Sequence, residues 1–126
     1  MVCSHVMYGS QGSWYYEHVA GIRPAAGAAG RGWRRIILDP SVLRPQGGGT
    51  AACALSGDAQ LTSASARSAT PLGFATIDWA CDGLKGGLTL NATVPVGATA
   101  ELYLPSAFGS TVAEAGHAVQ RLPNHY

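Results

Sequence analysis

The stretch LTLNATVPVGATAELYLP, residues 88–105, decides the fold class. Leu88, Leu90, Ala92 and Val94 alternate with Thr89, Asn91 and Thr93, a period of two that sets one apolar face against one polar face. Pro95 to Gly97 interrupts the run with turn residues, and the alternation then resumes with Ala100, Leu102 and Leu104 as the inward set. Two alternating runs flanking a Pro–Gly turn predict two strands.

The same pattern extends upstream. In FATIDWAC (74–81), Ala75, Ile77 and Trp79 fall on one side and Thr76 and Asp78 on the other. LTSASARSA (61–69) alternates small and polar residues, which predicts a strand with one shallow face, and TPLG (70–73) joins the two as a turn. Asp82-Gly83, loosened by Gly86-Gly87, is a hairpin signal. WRRIIL (33–38) predicts a further strand ended by Asp39-Pro40, residues 44–60 are a Gly-, Ala- and Pro-rich loop, and 110–113 and 117–122 are weaker strand candidates. Short strands at regular intervals between Gly and Pro turns predict a mainly β fold, an antiparallel, jelly-roll-like β-sandwich over residues 23–126. There is no internal repeat.

Ahead of these strands the period changes. Tyr8, Tyr15, Val19 and Ile22 lie on one helical face over residues 5–20, and Met7, Trp14 and His18 form an adjoining stripe. Gly21 supplies a left-handed stop, with Ile22 folding back onto the last turn, and Pro24 forbids a restart. RPAAGAAGRG (23–32) then forms a loop. Gly9 and Gly12 weaken the helix by about 1 kcal/mol each against alanine, so its stability must come from packing. The sequence holds no helical neighbour for so wide an apolar surface. The expectation is that preceding helices lie outside the chain and that the chain is the tail of a larger protein. At helical spacing Trp14, Tyr15 and Tyr16 are packing residues before they are a sugar-stacking platform, and Trp79 is core.

Composition narrows the function. The chain has 126 residues, enough for one domain or a small domain with an appendage. Charged residues make up 12%, about half the usual share, and the net charge of +1 comes without a basic stripe, which argues against nucleic acid as a partner. No run of eighteen apolar residues is present to span a membrane, and the start does not resemble a secretory leader. Cys3, Cys53 and Cys81 form no CxxC and read as three buried or partly buried thiols, with at most one disulfide possible. His5, His18, His117 and His125 have no zinc-site spacing, so no metal and no cofactor is expected. Gly47-Gly48-Gly49 lacks the Lys-Ser/Thr of a phosphate loop and is a turn, and Asn91-Ala92-Thr93 fits the glycosylation pattern at the level of chance.

One constellation goes further. His5, then Tyr8-Gly9, Trp14-Tyr15-Tyr16, and Ala20-Gly21-Ile22-Arg23-Pro24 are followed by RRIILDP, a Gly-rich turn, LTSASARSATPLG, a strand with Trp79, and LTLNATVPVGATAELYLP. In order and spacing this resembles the C-terminal region of bacterial-type α-L-rhamnosidases, glycoside hydrolase family 78, over about residues 4–115. The resemblance implies that residues 1–22 end the last helix of an (α/α)6 barrel and residues 23–126 are the β-sandwich behind it. It implies a rhamnoside or other carbohydrate and an upstream barrel domain as partners. It also implies that His5 contacts the bound rhamnose, where an imidazole exchanges hydrogen bonds with ring hydroxyls.

The implied reaction is inverting hydrolysis, which needs two carboxyl groups about 6.5–9.5 Å apart with a water between them. The seven acids here are Glu17, Asp39, Asp58, Asp78, Asp82, Glu101 and Glu114. None matches a catalytic position of the family. Asp39, Asp58 and Asp82 adjoin Pro or Gly and read as turn residues, Asp78 points outward, and Glu17 lies on the helix away from His5. The chain alone is therefore expected to be inactive, with no catalytic residue in it. The alternative is a stand-alone, non-catalytic carbohydrate-binding sandwich, for which Trp33, Phe74, Trp79, Tyr103 and Phe108 are the candidate aromatics.

Overall fold

Ile77 has no exposed surface, and the rest of the core is arranged around it. A computed structural model describes residues 10–40, 61–82, 87–104, 113–114 and 117–118. Strands β1 (Ile22–Pro24), β2 (Arg35–Leu38) and β6 (Thr99–Leu102) form one sheet in the order β1-β2-β6. Strands β3 (Ser63–Thr70), β4 (Gly73–Asp82) and β5 (Gly87–Thr93) form a second, antiparallel sheet in chain order. Two-residue strands β7 (Ala113–Glu114) and β8 (His117–Ala118) pair with each other. Ile22, Ile36 and Leu38 from the first sheet and Ala75, Ile77 and Trp79 from the second make one buried cluster with Ala20. The mainly β, two-sheet fold expected from the alternation is the fold observed.

The second sheet follows the sequence pattern closely. Ala75, Ile77 and Trp79 are buried and Asp78 is exposed. Ala64 and Ala66 supply the shallow face of β3 opposite Trp79 and Ile77. At the β3–β4 turn the Thr70 hydroxyl donates to the Gly73 carbonyl at 2.7 Å and accepts from the Leu72 N–H at 3.2 Å. The side chain thereby satisfies backbone groups that the two-residue turn leaves over. At the far end Asp82 and Gly87 are in register.

The first sheet departs from the expected antiparallel arrangement. β1 and β2 are antiparallel, but β2 and β6 are parallel, with Ile36 opposite Ala100 and Leu38 opposite Leu102. A parallel pair needs a long crossover, and here the whole second sheet lies between β2 and β6 in the chain. The register puts Ala100 and Leu102 on the core side with Ile36 and Leu38, as the alternation requires. Both remain exposed, because β6 is the edge of its sheet. Val94, just past the end of edge strand β5, is exposed for the same reason.

Ahead of the sheets, the helix expected over 5–20 is α-helical as α1 (Gln11–Trp14) and widens to a π-helical segment over Tyr15–Ala20. Met7, Tyr8 and Gly9 lie outside the described residues, as do residues 44–60 and the Gly47–Gly49 turn. The glycine stop is present: Gly21 has φ 81° and ψ 37°, and its N–H donates to the Tyr16 carbonyl at 2.9 Å. Ile22, however, does not fold back onto the last turn. It begins β1 and is buried in the core, because the Asp39 N–H donates to the Gly21 carbonyl at 2.7 Å and carries the β1–β2 ladder up to the glycine.

The loop expected over 23–32 is also more ordered than its composition suggests. Its first residues belong to β1, a three-residue edge strand that ends on a proline, where a missing N–H costs nothing. A 3-10 segment, Gly27–Trp33, follows and is kinked at Arg31 and Gly32. Trp33 itself has φ 60°, so the strand expected from residue 33 starts only at Arg35.

Gly21 is held by its conformation and by its surroundings, since a Cβ there would lie 2.3 Å from the Pro40 nitrogen. Gly21→Ala should therefore cost about 3 kcal/mol or more of unfolding free energy in urea titration. Gly12 has no atom within 4 Å of a would-be Cβ, and Gly12→Ala should stabilise by about 0.5–1 kcal/mol in the same measurement.

Candidate functional site

Trp79 joins the helical segment to the sandwich. Its ring is 2% exposed, and its indole N–H donates to the Val19 carbonyl at 3.3 Å. Val19 lies in the last turn, where carbonyls have no helical partner, so the indole satisfies a group that would otherwise be lost to burial. The π-helical segment thereby lies against β3 and the start of β1. Where the two meet there is an open groove of 280 Å³. Tyr16 and Glu17 line it from the helical side and Arg67 and Ser68 from β3, with Trp33 among the other lining residues.

The other side of the helix meets no other element among the described residues. Trp14 is 53% exposed and Tyr15 60%. Among the described residues the ring contacts of Trp14 are on its own helix, edge-on to Tyr15 at 5.5 Å between centroids and tilted against His18 at 5.6 Å. Only Ala20 from this segment enters the core. Read as packing residues, these aromatics have no partner surface among the described residues.

A second groove of 430 Å³ lies on the outer face of β3–β5, where Ser63, Ser65, Asp78, Thr89 and Asn91 are small and polar. Ser65 donates to the Asp78 carboxylate. Phe74 stands on the same face, but the Arg67 guanidinium lies 3.6 Å over its ring. Of the other candidate aromatics, Trp79 is core, Tyr103 is exposed with its hydroxyl on Glu101 at 3.0 Å, and Phe108 is outside the described residues.

The acids are dispersed. Asp39 is not a solvated turn residue: it is 9% exposed and pairs with Arg23 at 3.3 Å. Glu101 pairs with Arg35, and Asp78 holds Ser65. Glu17 stands on the rim of the first groove, which has no second acid. His5 and Asp58 fall outside the described residues, and of Asp82 and Glu114 only the backbone is described. Among the described residues no group of three His, Cys, Asp or Glu is placed to hold a metal ion. No helix there is long and apolar enough to cross a membrane. Cys81 is disulfide-bonded, which corrects the reading of three thiols.

Comparison with known proteins adds the decisive observation. The bacterial alpha-L-rhamnosidase C-terminal domain family matches residues 21–118. The chain belongs to this family. A relative described as an alpha-L-rhamnosidase, from Streptomyces avermitilis, is 33% identical over 103 residues. That match covers 82% of the chain but 8% of the relative, so the rhamnosidase C-terminal domain spans a small part of the protein it resembles. No solved structure matches it. The family match starts at Gly21, the residue that ends the helical segment.

Sequence reasoning missed the groove because its parts come from three elements with different periods. The one local signal is Gly32-Trp33, a bulky residue behind a glycine where the chain changes direction.

The two tryptophans of the domain with opposite burial should behave oppositely. Trp79→Ala should cost about 3–5 kcal/mol in denaturant unfolding, whereas Trp14→Ala should change stability by less than about 0.5 kcal/mol.

Proposed function

We propose that the chain is the C-terminal portion of an α-L-rhamnosidase-like glycoside hydrolase, with residues 1–22 closing a helical barrel and residues 23–126 supporting it. The observation that carries this reading is the partition of the helical segment. Ala20 enters the sandwich core, while Trp14 and Tyr15 are left open on the other side. Burying an aromatic ring stabilises by about 1.5–3 kcal/mol, so such a face fits a second, larger body. The family match from Gly21 onward and the 8% coverage of the relative support the same division.

The chemistry then belongs to that body. Inversion asks for an acid held protonated and a base facing it across a water. In this chain Asp39, Asp78 and Glu101 are already engaged by Arg23, Ser65 and Arg35. His5, at the start of the chain, would reach the sugar from the barrel mouth and exchange a hydrogen bond with a ring hydroxyl. A stand-alone sugar-binding sandwich would need open aromatic rings on a sheet face, and on the one that β4 offers, the exposed Phe74, Arg67 already occupies one side of the ring.

Assayed on a chromogenic α-L-rhamnoside, the 126-residue chain should give no turnover, and a version extended upstream should hydrolyse it with inversion at the anomeric carbon. Turnover by the short chain would overturn the reading. In the extended enzyme, His5→Ala should raise KM up to about tenfold, the value of one neutral hydrogen bond.

A further inference from the structure

The groove between the helical segment and β3 has features that structural support does not require. Its helical wall is the π-helical segment Tyr15–Ala20, a form found mostly as short insertions at functional positions. Trp33, opposite, is a bulky residue at φ 60°, a conformation that costs of order 1–3 kcal/mol and persists only where its surroundings impose it. Glu17 is half-buried, yet no hydrogen bond or ion pair joins its carboxylate to another described residue. Arg67 meets an aromatic face and no carboxylate among the described residues. A half-shielded carboxylate without a partner is unfavourable, and here it borders a space that is also lined by Arg67, two serines and the aromatic residues Tyr16 and Trp33.

We propose that this groove is a non-catalytic binding site for a single neutral pyranose ring. The lining carries one negative and one positive side chain, so it favours neither an anion nor a cation. Glu17 accepts from ring hydroxyls, and Arg67 donates to a hydroxyl oxygen through the N–H groups at the edge of its guanidinium plane. The apolar face of the ring lies against Trp33 and Tyr16. At 280 Å³ the groove is just below the usual range of ligand-site volumes, about 300–1,000 Å³, and suits one ring rather than an extended chain. The inference does not depend on the chain's having a rhamnosidase parent, because it requires binding and no turnover.

The test is an NMR titration of the 126-residue chain with methyl α-L-rhamnopyranoside and, separately, methyl α-D-glucopyranoside, following the three tryptophan indole resonances. At least one glycoside should shift the Trp33 indole saturably, with Kd of about 1–10 mM, and leave the Trp79 indole in place. Glu17→Gln and Arg67→Gln, both at non-core positions, should keep the melting temperature and weaken binding at least about fivefold. No saturable shift of Trp33 up to about 100 mM of either glycoside would overturn the proposal. So would undiminished binding in both variants, or an equal response to glycerol, which has hydroxyls but no ring.

Discussion

The junction at Gly21 is the constraint on which the rest depends. Three things are required of one residue. The helical segment must stop, the β1–β2 ladder must start, and the backbone must pass against Asp39 and Pro40. A left-handed glycine meets all three: its N–H closes the last turn on Tyr16, its carbonyl takes the Asp39 N–H, and its missing Cβ leaves room for Pro40. Two further contacts brace the same place. Arg23 pairs with the nearly buried Asp39, and Trp79 caps Val19 from the second sheet. The helical segment is therefore fixed in direction relative to the sandwich.

That fixed direction has a consequence for the sheet edges. An unpaired strand edge invites association, and β3 is the edge of the second sheet. The helical segment lies along it and covers part of it. β6 and β5, which are also edges, are handled differently. Glu101 and Arg35 put charge across the β2–β6 pair, and Asn91 and Thr93 keep the outer face of β5 polar. On the outward face of β3–β5 the one described aromatic ring, Phe74, already has Arg67 over it, whereas at the seam between the helical segment and the sheet Tyr16 and Trp33 line a groove together with Glu17, Arg67 and two serines.

How much of this was legible in the sequence depends on how local its cause is. The inward set Ala75, Ile77 and Trp79 was legible because alternation on a central strand is read by one core. The stop at Gly21 was legible because only glycine takes that conformation cheaply. The parallel pairing of β2 with β6 was not, since register between strands sixty residues apart leaves no mark in either strand alone. Strand β1 was hidden by its three-residue length and its proline, and the buried role of Asp39 by its proline neighbour, which reads as a turn. The candidate site divides the same way. The aromatic stripe of the helix was visible as a stripe, but the meeting of Tyr16, Trp33 and Arg67 arises only when three elements are brought together. His5, the residue singled out by resemblance, lies outside the described residues.

The distribution of charge shows what the described acids of this domain do. A catalytic carboxyl must be free of strong partners in one protonation state and close to a reacting bond. Asp39 is drawn to Arg23, Glu101 to Arg35, and Asp78 to a serine of the neighbouring strand. Each of these contacts fixes a position in the fold: the β1–β2 junction, the β2–β6 pair and the outer face of the second sheet. The acids are thus used as fasteners at the points where elements of distant sequence meet. Glu17 is different because it sits at a seam without a partner, facing aromatic rings and an arginine. A lone carboxylate in such a setting can accept hydrogen bonds, but no second acid stands beside it among the described lining residues.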